Sequence, residues 1–187
     1  MNTSNERRAI IIDQLADHVL AEGVASASLR RLAEAAHVSD RMLQYYFSDK
    51  AKIMDATLER VSERLIALLN ARTAPSAMSH DRLLAELSNV ALADDLMPYM
   101  RLWLEVAALS ARNDPVYRDV AERIARSFLA WGASQLDRAT AHEREADAAR
   151  LFVMIKGLVL LKCLGLGDVC ETVTWARPAQ IPERKAS

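Results

Sequence analysis

From Ser28 to Phe47 the apolar positions recur three and four residues apart: Leu29, Leu32, Ala33 and Ala36, then, after a break, Leu43 and Phe47. That spacing places each set on one face of a helix. The run breaks at His37-Val38, where Ser39 offers a new N-cap as Ser28 does for the first set. The pattern therefore predicts two helices of about two turns each meeting at a tight turn, neither stable alone. With Leu43 and Phe47 buried against the first helix, Asp40, Arg41, Gln44 and Tyr45 remain on the outer face of the second.

Upstream, Ile11, Leu15 and Val19, flanked by Ile12 and Leu20, predict a helix over residues 6–22 that follows a polar arm and stops at Gly23. Downstream, Ser48-Asp49 caps a helix over 50–72 carrying Ile53, Leu58, Val61, Leu65 and Leu68 or Leu69, ended before Pro75. Four more apolar-periodic segments follow, at 81–93, 98–112, 115–136 and 142–166. Pro98 and Pro115 fall in first turns, where proline is tolerated, and Asn113-Asp114 supplies a cap. Past Gly165 and Gly167, residues 168–175 add one turn, and 176–187 reads as a loose tail. Strand-like alternation is absent, and only five Gly and five Pro interrupt 187 residues. The expected fold is all-α, with a three-helix head over 1–52 and a larger helical body over 53–175.

Charge sharpens this picture. The net charge of -1 excludes bulk attraction to polyanions, and residues 1–52 carry seven basic and seven acidic side chains. Nucleic-acid binding must then rest on local clustering, for which Arg7-Arg8, Arg30-Arg31, Arg41 and Lys50/Lys52 are candidates; the alternative is ordinary solvated charge. On the outer face of the second short helix, Arg can fork onto guanine, Gln onto adenine, and Tyr can bond a phosphate or pack on a thymine methyl. Asp40 can accept from cytosine N4 or complement the helix dipole.

At these residues the chain resembles the TetR family of bacterial transcriptional regulators. The resemblance runs in register over about residues 8–55, through Gly23, Ser28-Leu29-Arg30, Leu32-Ala33, Ala36, Val38-Ser39, Leu43, Tyr46-Phe47 and Lys50. It implies a DNA-binding regulator, a ligand-released repressor that grips a palindromic double-stranded operator as a homodimer. Arg30, Arg41 and Tyr45 are then the expected base readers, and Ser28, Ser39, Tyr46 and Lys50 the expected phosphate contacts. Gln44 stands where the family usually has a phosphate-contacting Tyr, so Tyr45 is the residue placed to take that contact over. His37 stands where the family usually has Gly, which predicts either a strained turn or one of another type.

In the body, the last long segment has only Lys156 and Lys162 as charges between Leu151 and Leu166. It falls short of the ~20 apolar residues a bilayer requires. A helix apolar nearly all round needs cover on two sides. The resemblance implies that a second copy supplies one of them, with Val120, Ile124, Leu151, Ile155, Gly157, Leu158 and Val159 as the expected dimer seam; the alternative is an internal helix of a monomer. Met97, Met100, Trp103, Leu104, Phe128, Trp131 and Phe152 are candidate walls of an adaptable cavity for an apolar small-molecule effector, or plain core.

Other chemistry lacks its partners. His18 has no second ligand at metal spacing, and Glu34-Ala35-Ala36-His37 has the Glu-x-x-His spacing of di-iron bundles without a second copy. No nucleophile sits in a Gly-rich elbow and no phosphate loop occurs, so neither an enzyme, a metal nor a cofactor is expected. Cys163 and Cys170 suit free thiols in a reducing compartment, with a redox pair as the alternative. After Arg7-Arg8 the apolar run ends at Asp13, which predicts no signal peptide and a cytoplasmic protein. The rival function is an all-helical small-molecule binding protein or enzyme whose head does not bind DNA.

Overall fold

The structure is a computed structural model and describes residues 3–174; the expected tail over 176–187 lies outside the described residues. The first helix, α1 (Thr3–Glu22), begins three residues earlier than expected and ends at Gly23 with φ +76°. Two serines then start two short helices. Ser28 Oγ accepts the Arg31 N–H at 3.3 Å ahead of α2 (Leu29–Ala35), and Ser39 Oγ accepts the Met42 N–H at 3.1 Å ahead of α3 (Asp40–Tyr46). Between them His37 adopts φ +52°. The residue at the family's glycine position therefore keeps the left-handed turn and bears the steric cost of its Cβ.

Asp49 caps α4 (Lys50–Arg72) through the Lys52 N–H at 2.8 Å. Then come α5 (His80–Ala91), a single 3-10 turn at Asp94–Leu96, α6 (Met97–Ala111) and α7 (Pro115–Ser134), the last started by Asp114 accepting the Val116 N–H. Helix α8 (Ala141–Cys163) opens with a reciprocal cap, since Thr140 Oγ1 accepts the Glu143 N–H while the Glu143 carboxylate accepts the Thr140 N–H. This Thr-x-x-Glu signature was readable from sequence and places the helix start one residue before the expected position. Gly165, at φ +82°, precedes α9 (Gly167–Thr174), which makes two turns where one was expected. No strand occurs among the described residues; the one bridge pairs Met78 with Leu136.

Two apolar clusters hold these helices together. One joins Ile11, Leu15, Val19, Leu32, Leu43, Phe47, Ile53 and Leu58 to Leu102, Val106, Tyr117, Val120 and Ile124, so α6 and α7 pack directly beneath the head. The other gathers Leu65, Leu69, Leu83, Leu87, Leu96, Met100, Leu151 and Val159 at the far end of the body. Leu43 is fully buried, and cutting it to Ala is expected to cost about 2–5 kcal/mol. Ion pairs reinforce the first cluster. Arg60 and Arg64 of α4 both reach Asp13 at 2.6 Å, and Arg64 also reaches Asp17. Two of the head's seven acids are thus neutralised by arginines from outside residues 1–52.

Most residues of the expected dimer seam are already covered within the single chain. Val120, Ile124, Leu151, Leu158 and Val159 are all buried within one chain, and Ile155 is half-buried; Gly157 alone of the seven is exposed. Helical periodicity located an apolar helix, but α5, α7 and α9 of the same chain already pack on α8, while Val120 and Ile124 of α7 are buried in the cluster beneath the head. The uncovered apolar residues of α8 and its C-cap are Val153 (70% exposed), Met154, Leu160 and Leu164 (65% exposed). Val153, Gly157, Leu160 and Leu164 form a stripe, again three or four apart, with Met154 beside it.

Candidate nucleic-acid interface and effector cavity

Helix α3 holds its outward residues as the pattern required. Leu43 and Phe47 are buried, while Asp40, Arg41, Gln44 and Tyr45 are exposed, Tyr45 at 76%. The face is anchored from behind: Tyr46 packs half-buried on the head core, its ring edge-on to Tyr45 at 5.3 Å, and the Arg8 guanidinium lies 4.8 Å over the Phe47 ring. Ser28, Arg30 and Lys50 are exposed at the starts of α2 and α4, and Ser39 at the start of α3. The capping serines use a lone pair for the backbone, so each hydroxyl proton stays available to a phosphate oxygen. Arg30 is held across one turn by Glu34 at 2.9 Å, which raises its already high pKa, and Asp40 adds a smaller contribution of the same sign. An exposed i, i+4 pair of this kind is weak and can yield to another anion.

In the body, a cavity of about 70 Å³ lies among α4, α5, α7 and α8, and a second of about 30 Å³ adjoins it under α6. Both are walled by Leu65, Phe128 and Lys156. Of the residues expected to line such a space, Met100, Phe128, Trp131 and Phe152 line the first cavity, and Trp103 and Phe128 the second. Met97 and Leu104 do not; they border a separate surface recess with Asp94, Arg101, Lys162 and Cys163, because they lie on another face of α6. Sequence reasoning missed the aliphatic walls Leu65, Leu69, Leu87 and Leu151, which carry no signal distinguishing them from core. It also missed Lys156, which was visible as a charge in an otherwise apolar run. The Lys156 ammonium sits 4.6 Å from the centroid of the Trp103 ring, 5.2 Å from that of Phe152 and 5.8 Å from that of Phe128. Burial pushes its pKa down to about 7, while the three ring faces attract the charged form and act the other way.

Comparison with known proteins agrees with this arrangement. Residues 11–57, which contain α2 and α3 entire, match the bacterial regulatory proteins of the tetR family. The chain is 31% identical over 175 residues to the HTH-type transcriptional regulator BetI of Burkholderia mallei, covering 89% of this chain and 86% of that one. The chain belongs to the TetR family. It is a DNA-binding transcriptional regulator with a helix-turn-helix head. The fold agrees along its length: a TetR-family regulator of Rhodococcus sp. superposes with a TM-score of 0.72 at 18% identity, covering 91% of this chain and 95% of that one. The multidrug binding protein EbrR, complexed with proflavin, superposes with a TM-score of 0.64 at 24% identity, covering 90% and 97%.

Among TetR-family heads this one departs at two places, and both are now local matters. His37 retains the left-handed turn. Gln44 is exposed directly before the exposed Tyr45, so both side chains face solvent on the outer face of α3. No helix among the described residues is long and apolar enough to cross a membrane. No disulfide joins the two cysteines among the described residues: Cys163 is exposed, and Cys170 is buried with its thiol donating to the Leu158 carbonyl at 3.3 Å.

Proposed function

We propose that the chain is a cytoplasmic repressor without catalytic activity that binds a near-palindromic operator as a homodimer and releases it when an apolar effector enters the body. The observation that carries this reading is that the cavity and the head share their helices. Leu65 and Leu69 line the cavity on the same α4 whose first residue, Lys50, lies four residues beyond the last residue of α3. Arg41, Gln44 and Tyr45 read bases or phosphates, Arg30 adds a reader from α2, and Ser28, Ser39, Tyr46 and Lys50 hold phosphates; Asp40 complements the dipole of α3. The division at about residue 52 describes these roles, although the core runs across it.

The second copy docks on the exposed stripe of α8, Val153, Met154, Gly157, Leu160 and Leu164, which leaves large apolar side chains in water in a single chain. Two heads related by a two-fold axis then meet successive major grooves about one helical turn, ~34 Å, or a modest multiple apart. The cavity is far below the ~300–1,000 Å³ of small-molecule sites, so an effector must spread α4, α7 and α8 as it enters. Since α4 continues into the head, that spreading alters the head separation and forfeits contacts at one half-site. EbrR, whose structure holds proflavin, is a precedent for a ligand in this fold. Selection from random duplexes tests the reading: a near-palindrome is expected among retained sequences. Retention without sequence preference, or full affinity for an isolated half-site, would exclude it.

A further inference from the structure

Lys156 is the one charged side chain lining either body cavity, and none of the described residues hydrogen-bonds or ion-pairs with its ammonium. Its surroundings on three sides are the faces of Trp103, Phe152 and Phe128, with Trp103 and Phe152 edge-on to one another at 6.4 Å. Ring faces attract a cation but accept no ordinary hydrogen bond, so three N–H donors are left for something that enters the cavity. Most of the remaining wall of the larger cavity is aliphatic, with Leu65, Leu69, Leu87 and Met100 from α4, α5 and α6, and Trp131 of α7 completes it.

This set of groups discriminates between ligand charges. A cationic ligand finds the ring faces already filled by the chain's own ammonium and is repelled by it. A neutral ligand fills the apolar part and leaves the ammonium without a counter-charge. An anion supplies both the charge and the acceptors, and an apolar tail on it covers the aliphatic wall. We infer that the effector is an apolar monocarboxylate whose carboxylate pairs with Lys156. The inference rests on the reading of the cavity as an effector site and goes beyond it by naming the ligand's chemistry and anchor. Tyr99, at the edge of the smaller cavity, is the other titratable group lining the two, so no carboxylate of the lining opposes the incoming acid.

Calorimetric titration of the full chain with octanoate, 1-octanol and octyltrimethylammonium tests it, in the wild type and in Lys156→Met. One charge-assisted hydrogen bond corresponds to about a tenfold preference, so octanoate is expected to bind about tenfold or more tightly than octanol, with the ammonium weakest. In Lys156→Met the carboxylate preference should vanish and the ammonium should gain, because the ring faces are freed. Octanoate and octanol binding alike to the wild type, or a carboxylate preference that survives in Lys156→Met, overturns the inference and leaves the cavity reading standing. Failure of all three probes to bind removes the cavity reading, and the inference with it. The wild-type ratio decides the matter by itself should Lys156→Met not fold.

Discussion

Glu105 of α6 accepts the Val24 backbone N–H at 2.9 Å, across 81 residues of chain, and thereby fastens the body to the turn that leads into the DNA-binding helices. The same carboxylate lies so close over Gly23 that a Cβ there would fall 2.5 Å from Glu105 Oε1. Gly23 is thus required twice, for its φ of +76° and for the approach of Glu105. Helix α4 is therefore not alone in tying body to head: α6 makes a second connection, and α6 also carries Trp103 beside Lys156.

Gly23→Ala should destabilise the fold by about 2–4 kcal/mol, combining backbone strain with displacement of Glu105. Glu105→Ala should cost about 1.5–3 kcal/mol by leaving a buried N–H unpaired, and Glu105→Gln, which keeps an acceptor, should cost less. Chemical denaturation of the three variants checks the order. Equal stability of Glu105→Ala and wild type would remove the contact from the structural account.

In the head, base reading and phosphate holding separate by mutation. Arg41→Ala should cost about 1–3 kcal/mol on the selected operator and relax preference at one position per half-site. Lys50→Ala should weaken all sequences alike and lower the salt slope by about 1. Unchanged sequence profiles for Arg41→Ala would take Arg41 out of the readers.

For assembly, Leu160 and Leu158 sit two residues apart on α8, one exposed and the other buried. Leu160→Glu should yield a folded monomer, whereas Leu158→Glu buries an unpaired charge and should prevent folding. Sedimentation and circular dichroism together separate the outcomes. A Leu160→Glu dimer as tight as wild type would move the interface off this stripe.

Lys156 makes stability depend on pH in a defined direction. Its folded pKa of about 7 lies below the ordinary lysine value of 10.5. Below about pH 7 both states carry the proton and the burial penalty is full; between about pH 7 and about pH 10 the unfolded chain binds more protons, so stability rises with pH. Lys156→Met should accordingly gain most over wild type in acid, by up to ~4 kcal/mol, and the gain should shrink toward alkaline pH. A pH-independent difference between the two would contradict the placement of the ammonium.

How much of this was legible in the sequence depended on how local its cause was. Ser28, Ser39 and Asp49 announced their helices because a cap acts within three residues. The outer face of α3 followed from Leu43 and Phe47 by helical geometry alone. The face of α8 did not, since Leu158 and Leu160 are equally apolar and only the packing of α5 and α7 decides which is covered. Glu105 gave no signal, because its partner is fixed by the tertiary fold. Lys156 was counted as an interruption of an apolar stretch, although a charge in such a stretch is itself a reason to look for a site.

On the proposed function, an occupant of the body cavity and DNA on the head are coupled through α4 and α6. The direct test is a reciprocal titration: operator affinity with and without each member of a panel of hydrophobic acids, alcohols and cations, and the affinity of each ligand with and without operator. At least one ligand is expected to weaken operator binding, with its own affinity lowered by the same factor when operator is present. Ligands that occupy the cavity while operator affinity stays constant would contradict it.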